Sequence, residues 1–524
     1  MASKLEPNAL DRVLLAIAPK WALTRVRARA AALTLQRHFE AASPGRRTAG
    51  WPRHSTDANM ANHGALGILR EHARELIRNN GWAQNGQRVI ERNTVGWGLI
   101  AKAKASPKAQ ELWKKWSGAD ENHLTECDAD GMSTFAAMQA LIIKAIAADG
   151  EVLIRRRWRR ASDGLTLPLQ LQVLEADFLD ITKGGFVGLS GGPTIQGVEF
   201  DLLGRRRAYW LFEEHPGSGG LVVSPRSSLL SKRVRAEDVL HVFRSERPGQ
   251  VRGVSWYSAA IVKLKDFDEY DDATLMRQKI AACFAAFVTD TEGLTSPHLG
   301  AEVEGDAADL LEGLEPGMLE YLPPGKSITF ANPPGVNDHG SYTAINLRQV
   351  AASIGTTYED LSGDFSQVNF SSARMSRIAF YGNVHAWRWR VLVPLFCAPV
   401  WRWAMEAAQV AGELPAGDAP GATWTPPPMP MIEPDKEGLA LARLVRTGAM
   451  TPSEMVREQG FDPDDHWEEY AADLKKLDEK GIILDSDARK VSQAGLTQER
   501  NFSKGGGGAP PPPAGDDAAK EPDA

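Results

Sequence analysis

Asp360 and Asp364 stand four residues apart in the polar stretch 358–370, YEDLSGDFSQVNF. Two carboxylates so spaced could hold a divalent metal, which lowers the pKa of a bound water and makes a nucleophile for a nuclease or hydrolase. No histidine, lysine or arginine accompanies them within the stretch. Other fragments offer chemistry and lack its remaining parts. Gly325-Lys326-Ser327 ends like a phosphate-binding loop, but Glu320 takes the place of the first glycine. A strand-like run also follows where a helix N-terminus should meet the phosphate. GLSGG at 188–192 has the spacing of a nucleophile elbow, yet Pro193 and TIQGVEF continue it as a strand; a glycine-rich hairpin turn is expected. Glu126, Asp128, Asp130 and Gly131 open like a calcium loop whose closing glutamate is Ala137, so an Asp/Gly turn before a helix accounts for them. The 11 histidines form no HExxH pair. Cys127, Cys283 and Cys397 lie far apart without a CxxC and read as reduced thiols of a cytosolic protein. The expectation is no catalytic centre, no metal and no cofactor.

Arginine clusters remain. Arg155–Arg160 (RRRWRR) and Arg205–Arg207 fall on or beside strand-like runs, where alternate residues face opposite ways. Arg155, Arg157, Arg205 and Arg207 are therefore candidates for nucleic-acid or subunit contacts. A net charge of -7 excludes a basic nucleic-acid binder by bulk electrostatics and favours subunit contacts.

The 524 residues, 43% hydrophobic and 24% charged, suffice for about two to four domains. VLLAIA near the N-terminus is too short for a secretory core, and Pro394, Pro399 and Arg402 cut the best apolar run, so a soluble intracellular protein without a membrane span is expected. Residues 1–60 are an arginine-rich arm. Residues 62–150 read as helices: MSTFAAMQALIIKAIAADG is one, ended by Gly150. Over 151–250, EVLIRRRW, LQLQVLE, GVEFDLLGRRRAYWLF and DVLHVF read as short strands. A helix charged almost all round is expected from Ser255 to Phe287, about 50 Å long, unable to be buried in one domain. Residues 291–340 are turn-rich. A helix over Thr343–Ile354 leads into the stretch 358–370, and another from Ser371 to Gln409 should kink or break at its prolines. TWTPPPMPMIEP is a stiff connector. In TPSEMVREQG, Thr451 and Glu454 form a capping box with Pro452 at the first helical position. The end, from Ala494, is low-complexity.

In this order the pieces resemble bacteriophage portal proteins of the lambda type. The resemblance covers roughly residues 60–410 and is carried above all by RPGQVRGVSW and YEDLSGDFSQVNFSSAR, with CDADGMSTFAAMQALIIKAIAADGEVLIRRRW and LQVLEADFLD among the supporting stretches. It implies an α+β subunit with a mixed wing, a helical stem, a small β-containing clip and an α-helical crown, assembled into a ring. The implied domains are an N-terminal arm at 1–60, the wing at 61–254 and a stem helix at 255–290. The clip follows at 291–340, then a second stem helix at 341–357, a channel loop at 358–370 and a long kinked helix at 371–422. A connector at 423–434, the crown at 435–490 and a tail at 491–524 complete the chain.

The resemblance further implies a ring of usually twelve subunits at one capsid vertex, through which double-stranded DNA is packaged and ejected. Such a ring is non-enzymatic, belongs to the virion and is assembled in the host cytoplasm. Its partners are the terminase large subunit, capsid and scaffold proteins, and head-completion or tail connector proteins. DNA passes non-specifically, along Asp360, Ser362, Asp364, Ser366, Gln367 and Asn369 of the channel loop. Arg374 and Arg377 join the candidate DNA or subunit contacts, on the helix behind the loop. The alternatives are the metal-dependent nuclease or hydrolase using Asp360 and Asp364, and an arginine-rich nucleic-acid-binding scaffold.

Overall fold

A computed structural model describes residues 55–484 except 121–124, 186–187, 219–229, 283–285, 291–325, 331–338 and 418, with scattered positions outside that span. Most of the basic arm, most of segment 291–340 and the tail 491–524 lie outside the described residues. The chain forms two compact units. The smaller contains residues up to His63 together with Arg247–Gln250. In it Asp57 caps the short helix α1 (Ala58–Asn62), and Asn59 donates to the Gly249 carbonyl at 3.0 Å.

The larger unit opens with α2 (Leu66–Asn79) and α3 (Gly81–Thr94), then β1 (Ile100–Ala103), α4 (Pro107–Ser117) and α5 (Phe135–Asp149). At Asn79-Asn80-Gly81 the chain turns: Asn80 ends α2 and its side chain accepts from Ala83 N to start α3. Gly150 ends α5 at φ 89°. Next come β2 (Glu151–Trp158), β3 (Leu169–Glu175), β4 (Gly191–Ile195), β5 (Val198–Asp201), β6 (Arg206–Leu211), β7 (Lys232–Arg235) and β8 (Val239–Phe243). The four strand-like runs of the sequence supply β2, β3, β5 with β6, and β8, while β4 and β7 lie outside them. They form an antiparallel sheet β3-β2-β8 and a meander β4-β5-β6-β7. A small core of Leu153, Leu174, Tyr209, Leu211 and Val234 lies among them.

The long charged helix is shorter than the sequence suggested. α6 runs over Ile261–Ala282, 22 residues, about 33 Å. Its start is delayed by a buried turn holding Trp256, Tyr257 and Ala260, and Leu264 and Phe267 are buried in the same core. One face of α6 is therefore covered within its own subunit. β9 (Ala286–Asp290) and β10 (Lys326–Phe330) pair antiparallel, and α7 (His339–Ile354) returns beside α6.

α8 (Tyr358–Ser362) leads to α9 (Phe370–Trp387). Of the kink or break expected at the prolines, the break does not occur. Arg388–Cys397 is wound as a π-helix and passes into α10 (Ala398–Val410). Proline lacks an N–H and its ring clashes with the carbonyl four residues back in an α-helix. The wider winding relieves the clash, and the Ala398 N–H reaches the Val393 carbonyl, five residues back. The resulting span Ser371–Val410 is long and apolar enough to cross a membrane, but 72% of its apolar window is buried inside the protein. Phe396 and Trp401 join Trp113, Phe135 and Trp424 in an aromatic cluster of the main core.

β11 (Ala422–Thr425) pairs with β1, Ile100 facing Thr425. Neither strand was expected; one lay in a stretch read as helical, the other at the connector's start. The chain ends its described part in α11 (Pro434–Arg446), α12 (Pro452–Glu458) and α13 (Pro463–Glu479). The capping box of Thr451 and Glu454 forms as read.

Candidate functional site

The stretch 358–370 is not a loop throughout. Thr357 caps α8 by accepting from Asp360 N at 3.1 Å, and Gly363 ends it at φ 70°. Leu361 is fully buried. Gly363–Gln367 are exposed, Val368 is half-buried and Asn369 is exposed. Asn369 caps α9, accepting from Ser372 N at 2.8 Å.

Asp360 is half-buried and bonded within the chain. Its Oδ1 accepts from Arg92 at 3.1 Å and its Oδ2 from the Thr357 hydroxyl at 3.0 Å. The basic partner comes from α3, far away in sequence. Asp364 accepts from Ser366 N and from the Tyr358 hydroxyl, each at 3.0 Å. The Ser366 contacts hold its carboxyl below the usual range. All four carboxylate oxygens thus already accept hydrogen bonds from within the chain, a poor start for a metal-binding pair. Ser362 is turned back onto the Tyr358 carbonyl; Ser366 and Gln367 are exposed.

Most candidate arginines are engaged within the chain. Arg157 donates to the Gln172 side chain at 2.6 and 2.9 Å, and Arg207 pairs with Asp201 at 3.0 Å. Arg155 is half-buried and Arg205 exposed. Arg374 lies 3.7 Å from Glu433 and 3.9 Å from Glu437, and Arg377 donates to the Tyr381 hydroxyl. Arg388 donates to the Thr94 and Asn93 carbonyls, and burial lowers its pKa to about 10. Arg156 escaped sequence reading. It is buried, bonded to Asp238 and Glu406 and lies over the rings of Trp158 and Trp403.

The stretch RPGQVRGVSW supplies a buried network. Arg252 Nε donates to Glu151 Oε1 at 2.8 Å, and Gly253 N to Glu151 Oε2 at 2.7 Å. His241 Nδ1 lies 2.8 Å from Arg206 Nη1, and Nε2 lies 2.8 Å from Glu151 Oε2. A guanidinium only donates, so Nδ1 is the acceptor and the imidazole is the neutral Nε2–H tautomer. Burial alone would raise the Glu151 carboxyl, but Arg252 and His241 hold it well below the usual range. Burial lowers His241 to about 4. At Gly253 a Cβ would sit 2.1 Å from the Gly150 carbonyl oxygen. This motif is structural, joining the end of α5 to the sheet.

Glu175, Asp177 and His215 bring ligand atoms within 4.8 Å of one another. The cation's place there is taken: Arg74 Nη2 lies 2.7 Å from Asp177 and 3.1 Å from Glu175. Ser190 of GLSGG begins a hairpin and accepts from Arg233, and Lys326-Ser327 open a strand. The Asp128 carboxylate accepts from three backbone N–H groups, those of Asp130, Met132 and Ser133, as the Asp/Gly turn required.

A model of the phage portal protein, lambda family, matches residues 44–388, and the chain belongs to that family. A probable portal protein of Halomonas phage phiHAP-1 is 28% identical over 479 residues, covering 86% of this chain and 88% of the relative. Portal protein B of Escherichia phage lambda is 23% identical over 359 residues, covering 62% of this chain and 65% of its own. A solved structure described as the neck of a native gene transfer agent particle computed with C12 symmetry is similar at TM-score 0.44 and 16% identity. That match covers 75% of this chain and 94% of the neck chain. Family membership makes this a portal protein, a virion-associated head–tail connector; the family is structural rather than enzymatic.

Proposed function

We propose that about twelve copies form a ring at one capsid vertex, with double-stranded DNA passing through its axis in packaging and ejection. Residues 61–254 form the wing, α6 and α7 the stem, 291–340 the clip and 435–490 the crown. The stretch 358–370 lines the channel, with Gly363–Asn369 nearest the DNA. The observation that carries this reading is the character of that exposed segment. It contains no lysine or arginine, so it offers phosphate nothing to grip. Rings of cations would bind the duplex and stall it, since each neutralised phosphate adds to affinity. The chain performs no catalysis of its own. The clip docks the terminase large subunit and later the tail connector, because a segment between two stem helices can carry recognition without disturbing the core. Capsid and scaffold proteins meet the wing during assembly in the host cytoplasm.

Negative-stain imaging and mass measurement of the purified protein test this reading. The expected particle holds about twelve 57.1 kDa chains around a central hole. Monomers or dimers under every condition would refute it.

A further inference from the structure

We propose that α3 is the positioning platform of the channel segment: Asn85, Gly86 and Arg92 fix residues 355–362 to the subunit body and leave only 363–368 to project. This rests on the reading of 358–370 as channel lining. A helix of five residues cannot persist by itself, and its last carbonyls have no partner inside it. Asn85 supplies them. Its Nδ2 donates to the Asp360 carbonyl at 3.0 Å and the Leu361 carbonyl at 2.8 Å. Arg92 lies seven residues on, on the same face of α3, and takes the Asp360 side chain. Between them Gly86 leaves room for Ile354 at the end of α7, for Tyr257 and for Leu361 of α8. A Cβ there would lie 2.8 Å from Ile354 Cδ1, 3.0 Å from the Tyr257 hydroxyl and 3.3 Å from Leu361 Cδ1. The entry to α8 is held as well, by Asn383 donating to the Gly355 carbonyl at 3.0 Å.

Beyond Gly363 the support ends. Residues 363–367 are exposed, and the side-chain hydrogen bonds of Asp364 stay within 358–366. Asp360 is thus a positioning residue. Asp364 is the carboxylate that the projecting tip presents, one charge per subunit instead of two. A tip held on a fixed stem keeps its height in the channel constant from subunit to subunit, which a segment loose from residue 355 onward would not.

Hydrogen exchange on the full-length assembled protein tests this. The amides of 360–362 should be protected and those of 364–368 should exchange fast. Arg92→Glu alters a half-exposed side chain outside the core. It should raise exchange at 358–362 by about fivefold or more, the scale of a lost hydrogen bond, with β2 unchanged. Asn85→Ala should do the same. Arg92→Glu combined with Asp360→Lys should restore part of the protection. Equal exchange across 360–368 in the unaltered protein, or no response to either single change, overturns the proposal. A packaging assay on the same variants separates the two readings. If exchange rises and packaging is unchanged, the platform stands and the channel reading fails. If packaging falls while exchange at 358–362 is unchanged, the platform is refuted.

Discussion

Glu151 and Arg252 are each about 1–2% exposed at the side chain, and such a pair is costly to break by halves. Glu151→Gln would leave a buried guanidinium without its countercharge, with an expected loss of at least about 3 kcal/mol, read from the denaturation midpoint. His241 adds a pH dependence whose sign follows from its neighbours. Nδ1 accepts from Arg206, so the folded protein refuses a proton there until about pH 4, while the unfolded chain takes one near the usual 6.5. The stabilisation is fully present above pH 6.5 and is lost as pH falls from 6.5 to 4, about 3 kcal/mol in all. Glu151, also depressed, adds a further loss below its usual 4.5. Melting temperatures measured from pH 7.5 to 4 should fall. His241→Gln, which can still donate to Glu151, should flatten the part between 6.5 and 4. An unflattened curve would show that another group is responsible.

Elements were legible where their signals are local. The strand of EVLIRRRW, the Gly150 stop and the Thr451 cap depend on neighbours within a few residues, and all three formed as read. The β1–β11 pair has four residues a side and a sequence separation of more than 300, so no local pattern announces it. The π winding around Pro394 is set by the core that buries Val391, Leu392 and Phe396 on both sides of it, which the proline alone does not reveal. α11, α12 and α13 present a different balance. Val456 and Pro463 are the only residues buried along the three. Their attachment is largely ionic: Lys102 lies 3.2–3.6 Å from Asp462, Asp464 and Asp465, Lys114 lies 3.0 Å from Asp465, and Arg374 approaches Glu433 and Glu437. The more exposed of these pairs, such as Lys114–Asp465, contribute about 0.2–1 kcal/mol each and weaken as salt shortens the screening length, while Lys102–Asp462 is largely buried. Limited proteolysis between residues 426 and 484 should therefore speed up several-fold between about 0.05 and 0.5 M salt, and Lys102→Met should produce the same effect at low salt. A cleavage rate indifferent to both would mean that packing, such as Gly460 against Pro428, holds these helices.

At the scale of the whole molecule, charge decides how the subunit treats a polyanion. The arginine-rich look of the sequence and its net charge of -7 point in opposite directions, and the resolution lies in where the guanidinium groups go. Arg156 is spent on Asp238 and Glu406, Arg157 on Gln172, Arg207 on Asp201, and Arg206 on His241 and the Val251 carbonyl. A guanidinium already bonded must surrender those contacts before it takes a phosphate, so each contributes less than a free one would. An assembled ring multiplies the acidic net charge by its subunit number, while the screening length of about 8 Å at physiological salt confines that repulsion to close approach. The duplex should therefore be tolerated but not retained. Mixed with a linear DNA fragment of about 50 base pairs at 0.15 M salt, the purified protein should give no retarded band at micromolar concentration, near the scale of ordinary non-specific binding. On the proposed placement of this tip in the channel, replacing both Asp364 and Ser366 by lysine should create retention, because two cations per subunit would then face one axis. That retention should fade steeply as salt rises, as counterion release requires. Rings should still form, since both residues belong to the exposed tip. Retention by the unaltered protein that is lost with Arg205→Ala and Arg155→Ala would instead assign those arginines to DNA, and the arginine-rich surface rather than the channel tip would govern the encounter.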